Sequence, residues 1–205
     1  MSMLPQSKKI PRGEKRRDEI AAVAERIFLE RGYADTTMHT IAAEAGASKE
    51  TLYRHFGCKE ALFSEVVHRR SLRITGGEEG ELSGPPQVVL FDVARNLLRF
   101  LSGPDSLCLY RVVVAEMPRV PELGRIFYSQ GPGRLLNQLA GYLRLAALRG
   151  ELNCPDCDRA AKLFLGAVVS YNQMASLILG ASYPDEELLA YAQEAVSLFL
   201  ARYGA

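Results

Sequence analysis

Residues 36–62, TTMHTIAAEAGASKETLYRHFGCKEAL, decide how this chain is interpreted. Within them, the segment KETLYRHF at residues 49–56 places two aromatic side chains among several charged or titratable ones. A helix buried on every side has no place for the charges, and a fully solvated helix has no need of Tyr53 and Phe56. The composition therefore indicates a short helix with one face in a small core and the other facing a polar partner.

The periodicity of the whole chain is helical. Apolar residues recur at steps of three and four from about Arg17 onward, and glycines such as Gly32, Gly46 and Gly57 end the first helices. No segment shows the alternation and flanking turns of a β-hairpin. We expect an all-α protein of about nine helices.

Two short helices joined by a glycine turn at Gly46 predict the helix-turn-helix, whose second helix enters the DNA major groove. Leu52 and Phe56 lie four residues apart, so we expect them to face inward. Ser48 is the expected N-cap, and the positive end of the helix dipole would face phosphate. The outward-facing residues are then Lys49, Glu50, Tyr53 and Arg54.

These residues resemble the DNA-binding domain of TetR-family transcriptional regulators over about residues 17–67. The resemblance rests on Ala21–Ala22 through Phe28, Gly32–Tyr33, Thr36–Thr37, Ile41–Ala42, Ala45–Gly46, Ser48, TLYRHF at 51–56 and KEAL at 59–62. One departure is Gly57–Cys58, where the family more often has a polar pair. The resemblance implies an N-terminal three-helix helix-turn-helix DNA-binding domain, followed by a larger helical ligand-binding and dimerisation domain. It also implies a ligand-responsive regulator, with a repressor of a palindromic operator as the favoured form.

The resemblance also implies which residues contact DNA. Thr37, Thr51, His55 and Lys59 correspond to phosphate contacts, Lys49 and Glu50 to base contacts, and Tyr53 to either. Two alternatives remain: His55 could be a capping residue, and Tyr53 could pack only on its own domain. We expect His39 and the run His68-Arg69-Arg70 to be solvated. The complete predicted set is Thr37, Ser48, Lys49, Glu50, Thr51, Tyr53, Arg54, His55 and Lys59.

Charge and composition predict the domain boundaries. Residues 1–73 hold 14 Lys/Arg against 10 Asp/Glu, a net charge of +4, whereas the remainder holds 11 against 14, a net charge of −3. This asymmetry favours two functions on one chain. We assign residues 1–14 to a flexible basic arm that is either a solvated tail or a phosphate contact, 15–58 to the DNA-binding domain, 59–75 to a connecting helix and 76–205 to the regulatory domain.

The second half is similar to the AcrR/AefR-type subgroup of the family at residues 109–130, LYRVVVAEMPRVPELGRIFYSQ. That similarity implies a small apolar or amphipathic effector in a pocket among the central helices. Asn172 and Gln173 lie in an apolar helix, so each either bonds across a dimer or contacts a ligand. The predicted ligand contacts are Phe100, Tyr110, Val114, Met117, Phe127, Phe164, Val168, Tyr171, Asn172 and Met174.

The last two helices, predicted at 156–181 and 184–202, are apolar on more than one face. A helix of this kind needs burial on both sides, so we expect it to pair with a two-fold mate. The predicted partners are therefore double-stranded operator DNA, a second copy of the chain and a small effector. An architectural DNA-binding protein of the same fold without a ligand is the alternative.

Other classes of function find no support in the sequence. The motifs of nucleophilic triads, metal clusters and phosphate-binding loops are missing, so we expect no enzyme, no metal and no cofactor. Cys154 and Cys157 form an isolated C-x-x-C, which we interpret as reduced thiols at a helix–helix corner. No apolar run approaches a membrane span, and the polar, basic start is unlike a secretory signal, so a cytoplasmic protein without membrane contact is expected.

Overall fold

The chain folds almost entirely into helices. A computed structural model describes residues 12–75 and 82–205. Within these residues the all-α prediction is confirmed, and they form ten helices where about nine were expected for the chain. They are α1 (Arg12–Arg31), α2 (Met38–Glu44), α3 (Lys49–Phe56), α4 (Lys59–Thr75), α5 (Pro86–Ser102), α6 (Pro104–Glu116), α7 (Pro121–Gln130), α8 (Pro132–Leu148), α9 (Cys157–Leu179) and α10 (Asp185–Tyr203).

The start of the first helix differs from the sequence prediction. Residues 1–11 lie outside the described residues, whereas 12–14 belong to α1, which was expected to begin at Arg17. Glu14 lies in the first turn of α1, where an acidic side chain interacts favourably with the helix dipole. Residues 76–81, which follow α4, also lie outside the described residues.

The chain divides into two compact units, residues 1–66 and Val67–Ala205, which we call the head unit and the body unit. The boundary falls inside α4, within the segment expected to connect the domains. In the head unit, Phe28, Tyr33 and Phe63 form an aromatic cluster whose ring centroids lie 5.4 to 5.6 Å apart. This cluster packs α1 and α4 together, and α2 and α3 complete the unit.

The body unit has its core among α5, α8, α9 and α10. Leu90, Leu139, Leu143 and Phe164 are among its largest buried side chains. α6 and α7 pack at the edge of this bundle, with α7 against α8 and α6 against α5 and α9. The arrangement leaves space between α6–α7 and the bundle, which becomes the cavity described below.

Across residues 12–75 and 82–205, no single helix is long and apolar enough to cross a bilayer. Cys157–Val169 and Tyr171–Leu179 reach that length and composition only together, as a pair bent by 40°.

Candidate functional site

The turn between α2 and α3 is fixed by side-chain caps at the start of each helix. Thr37 Oγ1 accepts a hydrogen bond from the backbone N–H of Thr40, and Ser48 Oγ accepts one from Thr51, both at 3.1 Å. Gly46, in the turn, has a φ of +57°, a conformation that favours glycine. The Ser48 cap agrees with the sequence analysis, and it sets the start of α3.

The orientation of α3 confirms the predicted division of its faces. Leu52 is fully buried and Phe56 nearly so, whereas Tyr53 is 51% exposed. The half-buried members of the predicted set on α3 are Thr51 and His55. The exposed ones are Lys49, Glu50, Tyr53 and Arg54.

Arg16 on α1 holds the turn from the other side, and the sequence analysis did not assign it this role. Its Nη2 donates to the backbone carbonyls of Ala45 and Gly46 at 2.8 and 2.7 Å, and its Nη1 pairs with Glu19 at 2.9 Å. The last carbonyls of a helix have no partner within the helix, so a cation there satisfies them. The sequence shows that residue 16 is basic, but it does not indicate a contact with a carbonyl 30 residues further along the chain.

A groove runs between the start of α1 and the outer side of α3. It has a volume of about 670 Å³ and is open to solvent. Lys15 of α1 and Thr51, Arg54 and His55 of α3 line it, together with Arg16 and Glu19, which form an ion pair with each other. The groove joins exposed donors from two helices next to the polar face of α3, an arrangement that suits an anionic backbone.

Lys59 has a structural role that the sequence did not predict. Its ammonium donates to the carbonyl oxygens of Tyr33 and Thr36 at 2.8 and 2.9 Å and lies 4.1 Å from the centre of the Tyr33 ring. Tyr33 in turn donates to Glu60 at 3.1 Å, and its burial, followed by the Glu60 carboxylate, raises the pKa of Tyr33. The phosphate contact expected of Lys59 therefore competes with bonds inside the head unit, and it stays a prediction.

The body unit contains a cavity of about 480 Å³. Five of the predicted ligand residues lie in its wall, contributed by α5, α6 and α7: Phe100, Tyr110, Val114, Met117 and Phe127. Tyr110 and Phe127 meet edge to face, with ring centroids 6.0 Å apart. The prediction of a pocket among the central helices agrees with this geometry.

The residues expected to reach the ligand from α9 lie elsewhere. Phe164 and Val168 are buried in the core of the body unit, where the Phe164 ring centroid is 5.3 Å from that of Phe199. Tyr171, Asn172 and Met174 are also outside the cavity wall, and Tyr171 and Met174 are exposed. The stripe of α9 that does line the cavity is Leu165, Val169 and Gln173, so the sequence identified the helix but selected the wrong faces.

Polar residues of the cavity were missed for a similar reason. Arg70 belongs to a basic run interpreted as solvated, yet it is only 3% exposed and lies in the cavity wall. Ser71 and Ser106 lie beside it in the wall and carried no sequence signal of their own. The apolar spacing around Arg70 on α4, from Val67 to Ile74, was the available evidence that this side of the helix is buried.

The two cysteines of the isolated C-x-x-C are not joined by a disulfide bond. Cys154 and Cys157 are buried free thiols, and Cys157 Sγ donates to the Cys154 carbonyl at 3.3 Å. Burial, followed by the neighbouring Cys157, raises the pKa of the Cys154 thiol to about 12, so it stays protonated at neutral pH. Within the described parts of the chain, no three His, Cys, Asp or Glu side chains come together as a metal site.

An apolar stripe remains exposed along α9. It consists of Leu163, Ala167, Tyr171, Met174 and Ile178, spaced three or four residues apart. Tyr191 and Leu198 are exposed on the adjoining α10, and Tyr191 Oη donates to the Ala167 carbonyl at 2.7 Å. We call these seven residues the α9–α10 face; large apolar side chains in one continuous surface are typical of an interface.

Each of the two units matches a different model of a known protein family. Residues 20–66 match the family model of bacterial regulatory proteins of the tetR family. Residues 88–205 match the model of the C-terminal domain of AefR-like transcriptional repressors. The second match alone spans more than half of the chain.

Solved structures agree with these matches. A TetR-family transcriptional regulator from Mesorhizobium loti is 31% identical with a TM-score of 0.79, and the alignment covers 96% of this chain and 100% of that one. The flavonoid-responsive regulator FrrA is 28% identical with a TM-score of 0.73, and the alignment covers 93% and 98% of the two chains.

The first curated relatives match over a shorter stretch than the solved structures do. A helix-turn-helix transcriptional regulator of Mycobacterium tuberculosis is 46% identical over 57 residues, and this match spans 28% of each chain. The chain thus aligns with less than a third of the length of the first such relatives. Members of the matched families are transcriptional regulators rather than enzymes, as expected from the sequence. With both of its units matched in order and over nearly its whole length, the chain belongs to the TetR family of DNA-binding bacterial transcriptional regulators.

Proposed function

We propose that this regulator is a homodimeric repressor that binds a palindromic operator through α3 and is released by a small apolar or amphipathic effector. The observation that carries the proposal is the division of α3, whose Leu52 and Phe56 are buried while Lys49 and Tyr53 are exposed. The matched description of an AefR-like transcriptional repressor supports repression as the mode of action.

We assign base contacts to Lys49 and Glu50 at the start of α3 and a backbone or base contact to Tyr53. Thr37, Thr51 and His55 are then the phosphate contacts, and the groove between α1 and α3 adds Lys15 and Arg54. Lysine suits the acceptor atoms of guanine, and phosphate contacts fix the position of the helix.

The first test is binding to the promoter region of the regulator's own gene, measured by fluorescence anisotropy over a salt series. Lys49→Ala should weaken binding by about 1–3 kcal/mol, the usual value for one base contact. Tyr53→Phe and Tyr53→Ala separate loss of the hydroxyl from loss of the ring. Arg125→Ala is the matched control, because Arg125 is an exposed body-unit cation paired with Glu122. Undiminished binding by Lys49→Ala and Tyr53→Ala would refute the role of α3.

Dimerisation is assigned to the α9–α10 face. One helix-turn-helix reads few bases, and a two-fold dimer places two recognition helices about 34 Å apart, one turn of DNA. Ile178→Glu puts a charge into this face and should give monomers in analytical ultracentrifugation with weaker operator binding. Val88→Glu, at an exposed position on α5, is the matched control. A dimer that survives Ile178→Glu and Tyr171→Glu together would place the interface elsewhere.

The cavity favours ligand response over an architectural role. Its volume and largely apolar wall are those of small-molecule sites. The related FrrA is named for its response to flavonoids, which supports a small-molecule response here. α4 supplies Leu62, Phe63 and Val66 to the head unit and Val67 and Arg70 to the cavity wall. A ligand that prefers one position of α4 would thereby shift the DNA-binding equilibrium.

A further inference from the structure

The cavity of the body unit reaches the surface between α6 and α7. Most of the residues in its wall are buried or half-buried. Three large apolar side chains of the wall are exposed instead: Val114, Met117 and Tyr128, with 49%, 46% and 59% of their surfaces accessible. A side chain that faces both a cavity and solvent lies at an opening, so these three residues mark the entrance.

Hydrogen bonds fix the backbone beside this entrance. The N–H of Met117 donates to the Val113 carbonyl at 2.9 Å. The N–H groups of Arg119 and Val120 both donate to the Glu116 carbonyl, also at 2.9 Å, in the turn that joins α6 to α7. Rotation of a side chain therefore changes the width of the entrance at a lower cost than displacement of the turn.

Each of the two long side chains at the entrance lies against a glycine. A β-carbon at Gly124 would be 2.9 Å from Met117 Sδ and 3.1 Å from Met117 Cγ. A β-carbon at Gly133 would be 3.1 and 3.3 Å from two ring carbons of Tyr128. Neither glycine has a positive φ, so the close approach of neighbouring atoms, rather than the backbone conformation, favours glycine at both positions.

We propose that Met117 is the gate of the effector cavity and limits the rates at which a ligand enters and leaves; this proposal rests on the ligand response proposed above. Met117 follows the last residue of α6, and its thioether reaches Gly124 of α7, so the side chain spans the gap between the two helices. Methionine is unbranched and flexible, whereas the ring of Tyr128 is rigid. Rotation of Met117 away from Gly124 opens the entrance while the rest of the wall stays in place.

Stopped-flow fluorescence with N-phenyl-1-naphthylamine, a neutral probe that becomes fluorescent in apolar surroundings, measures both rate constants in the full chain. A minor open state is populated at about 0.1–10%, so removal of the gate by Met117→Ala should raise the association rate constant at least about tenfold. Dissociation should accelerate by at least as much. A residue that only contacts a ligand changes mainly the dissociation rate. An unchanged association rate constant in Met117→Ala would overturn the gate.

Two control variants separate the entrance from the remainder of the molecule. Leu145→Ala, at an exposed position on α8 outside the cavity wall, should leave both rate constants as they are in the unaltered chain. Val113→Phe introduces a ring from the buried side of α6 and should weaken probe binding without accelerating association. Faster association in Leu145→Ala to the same extent as in Met117→Ala would contradict a specific role of Met117.

Gly124→Ala tests the same contact from α7. In the chain that keeps Met117, the new β-carbon displaces the thioether and should slow association at least about threefold. In the Met117→Ala background the same substitution should have no effect, because the atoms that it would meet are gone. An equal effect of Gly124→Ala in both backgrounds would show that it acts through α7 and not through the gate.

Operator release, measured separately, distinguishes the gate from the proposed function. A probe that binds and releases operator DNA, at rates that Met117→Ala leaves unchanged, supports ligand response and refutes the gate. Acceleration by Met117→Ala, with operator affinity unaffected by the bound probe, supports the gate and refutes ligand-responsive repression. Absence of saturable binding to both the unaltered chain and Met117→Ala would contradict both proposals.

Discussion

Arg16→Met should loosen the helix-turn-helix without touching its DNA-facing residues. Nη2 of Arg16 donates to Ala45 and Gly46 carbonyls at the end of α2, at 2.8 and 2.7 Å. Methionine keeps much of the aliphatic stem and removes both donors. The carbonyls then depend on water, and the turn that orients α3 loses its connection to α1.

The magnitude follows from these two bonds. A hydrogen bond to a charged group contributes about 1.5–3 kcal/mol when buried. The Arg16 side chain is 33% exposed, so water replaces part of that contribution, and we expect a combined loss of about 1–2 kcal/mol. Since 1.4 kcal/mol is a factor of ten, amide exchange in α2 and α3 should accelerate about five- to thirtyfold.

Hydrogen exchange followed by mass spectrometry is the appropriate assay, because peptides from α5, α8 and α9 serve as an internal reference. Arg26→Met is the control on the same helix: Arg26 pairs with Glu30 and Glu44, and such exposed pairs contribute little. Operator affinity should fall in Arg16→Met and stay unchanged in Arg26→Met. Unchanged exchange in α2 and α3 of Arg16→Met would refute the idea that Arg16 stabilises the turn.

Three further outcomes are expected. Lys59→Met removes two hydrogen bonds to backbone carbonyls. Urea titrations should show that the free energy of unfolding of the head unit falls by about 1–3 kcal/mol. Loss of operator affinity with unchanged stability would instead favour a phosphate contact. Iodoacetamide at pH 8 should modify the exposed Cys58 and spare Cys154, whose raised pKa keeps it protonated, and rapid labelling of Cys154 in the native state would contradict its burial. Gly124→Ala would bring a β-carbon to 2.9 Å from Met117 Sδ, so we expect the flexible methionine to move into the cavity. Calorimetry with a medium-chain alcohol such as decanol as the apolar probe should then show weaker binding, whereas unchanged affinity would show that the methionine moves outward.

The head unit could be predicted closely because its signals are local. Thr37 and Ser48 each accept a hydrogen bond from the backbone N–H three residues further on, and Leu52 and Phe56 share one face of a single short helix. Each of these follows from the spacing of neighbouring residues. Arg16 and Lys59 were different, because their partners are 23 to 30 residues distant and are backbone carbonyls, which no side-chain pattern marks.

For the body unit, the sequence predicted the helices but not which face of α9 lines the cavity. Its helices follow from periodicity and from prolines and glycines at their ends, but α9 is apolar around most of its circumference. With no polar face to orient it, the sequence could not distinguish Phe164 in the core from Leu165 in the cavity wall. Arg70 was misjudged for the opposite reason: a charge in a basic run is usually solvated, and only the packing of α4 buries it.

The three stripes of α9 leave it little freedom to change length. Phe164 and Val168 face the core, Leu165 and Val169 face the cavity, and Ile178 lies on the exposed α9–α10 face. One inserted residue would rotate everything after it by about 100°. Core residues would turn toward the cavity, and residues of the exposed face would turn toward the core, in a single step. Substitutions along α9 can therefore alter the cavity wall one side chain at a time, whereas an inserted or deleted residue would displace all three stripes together.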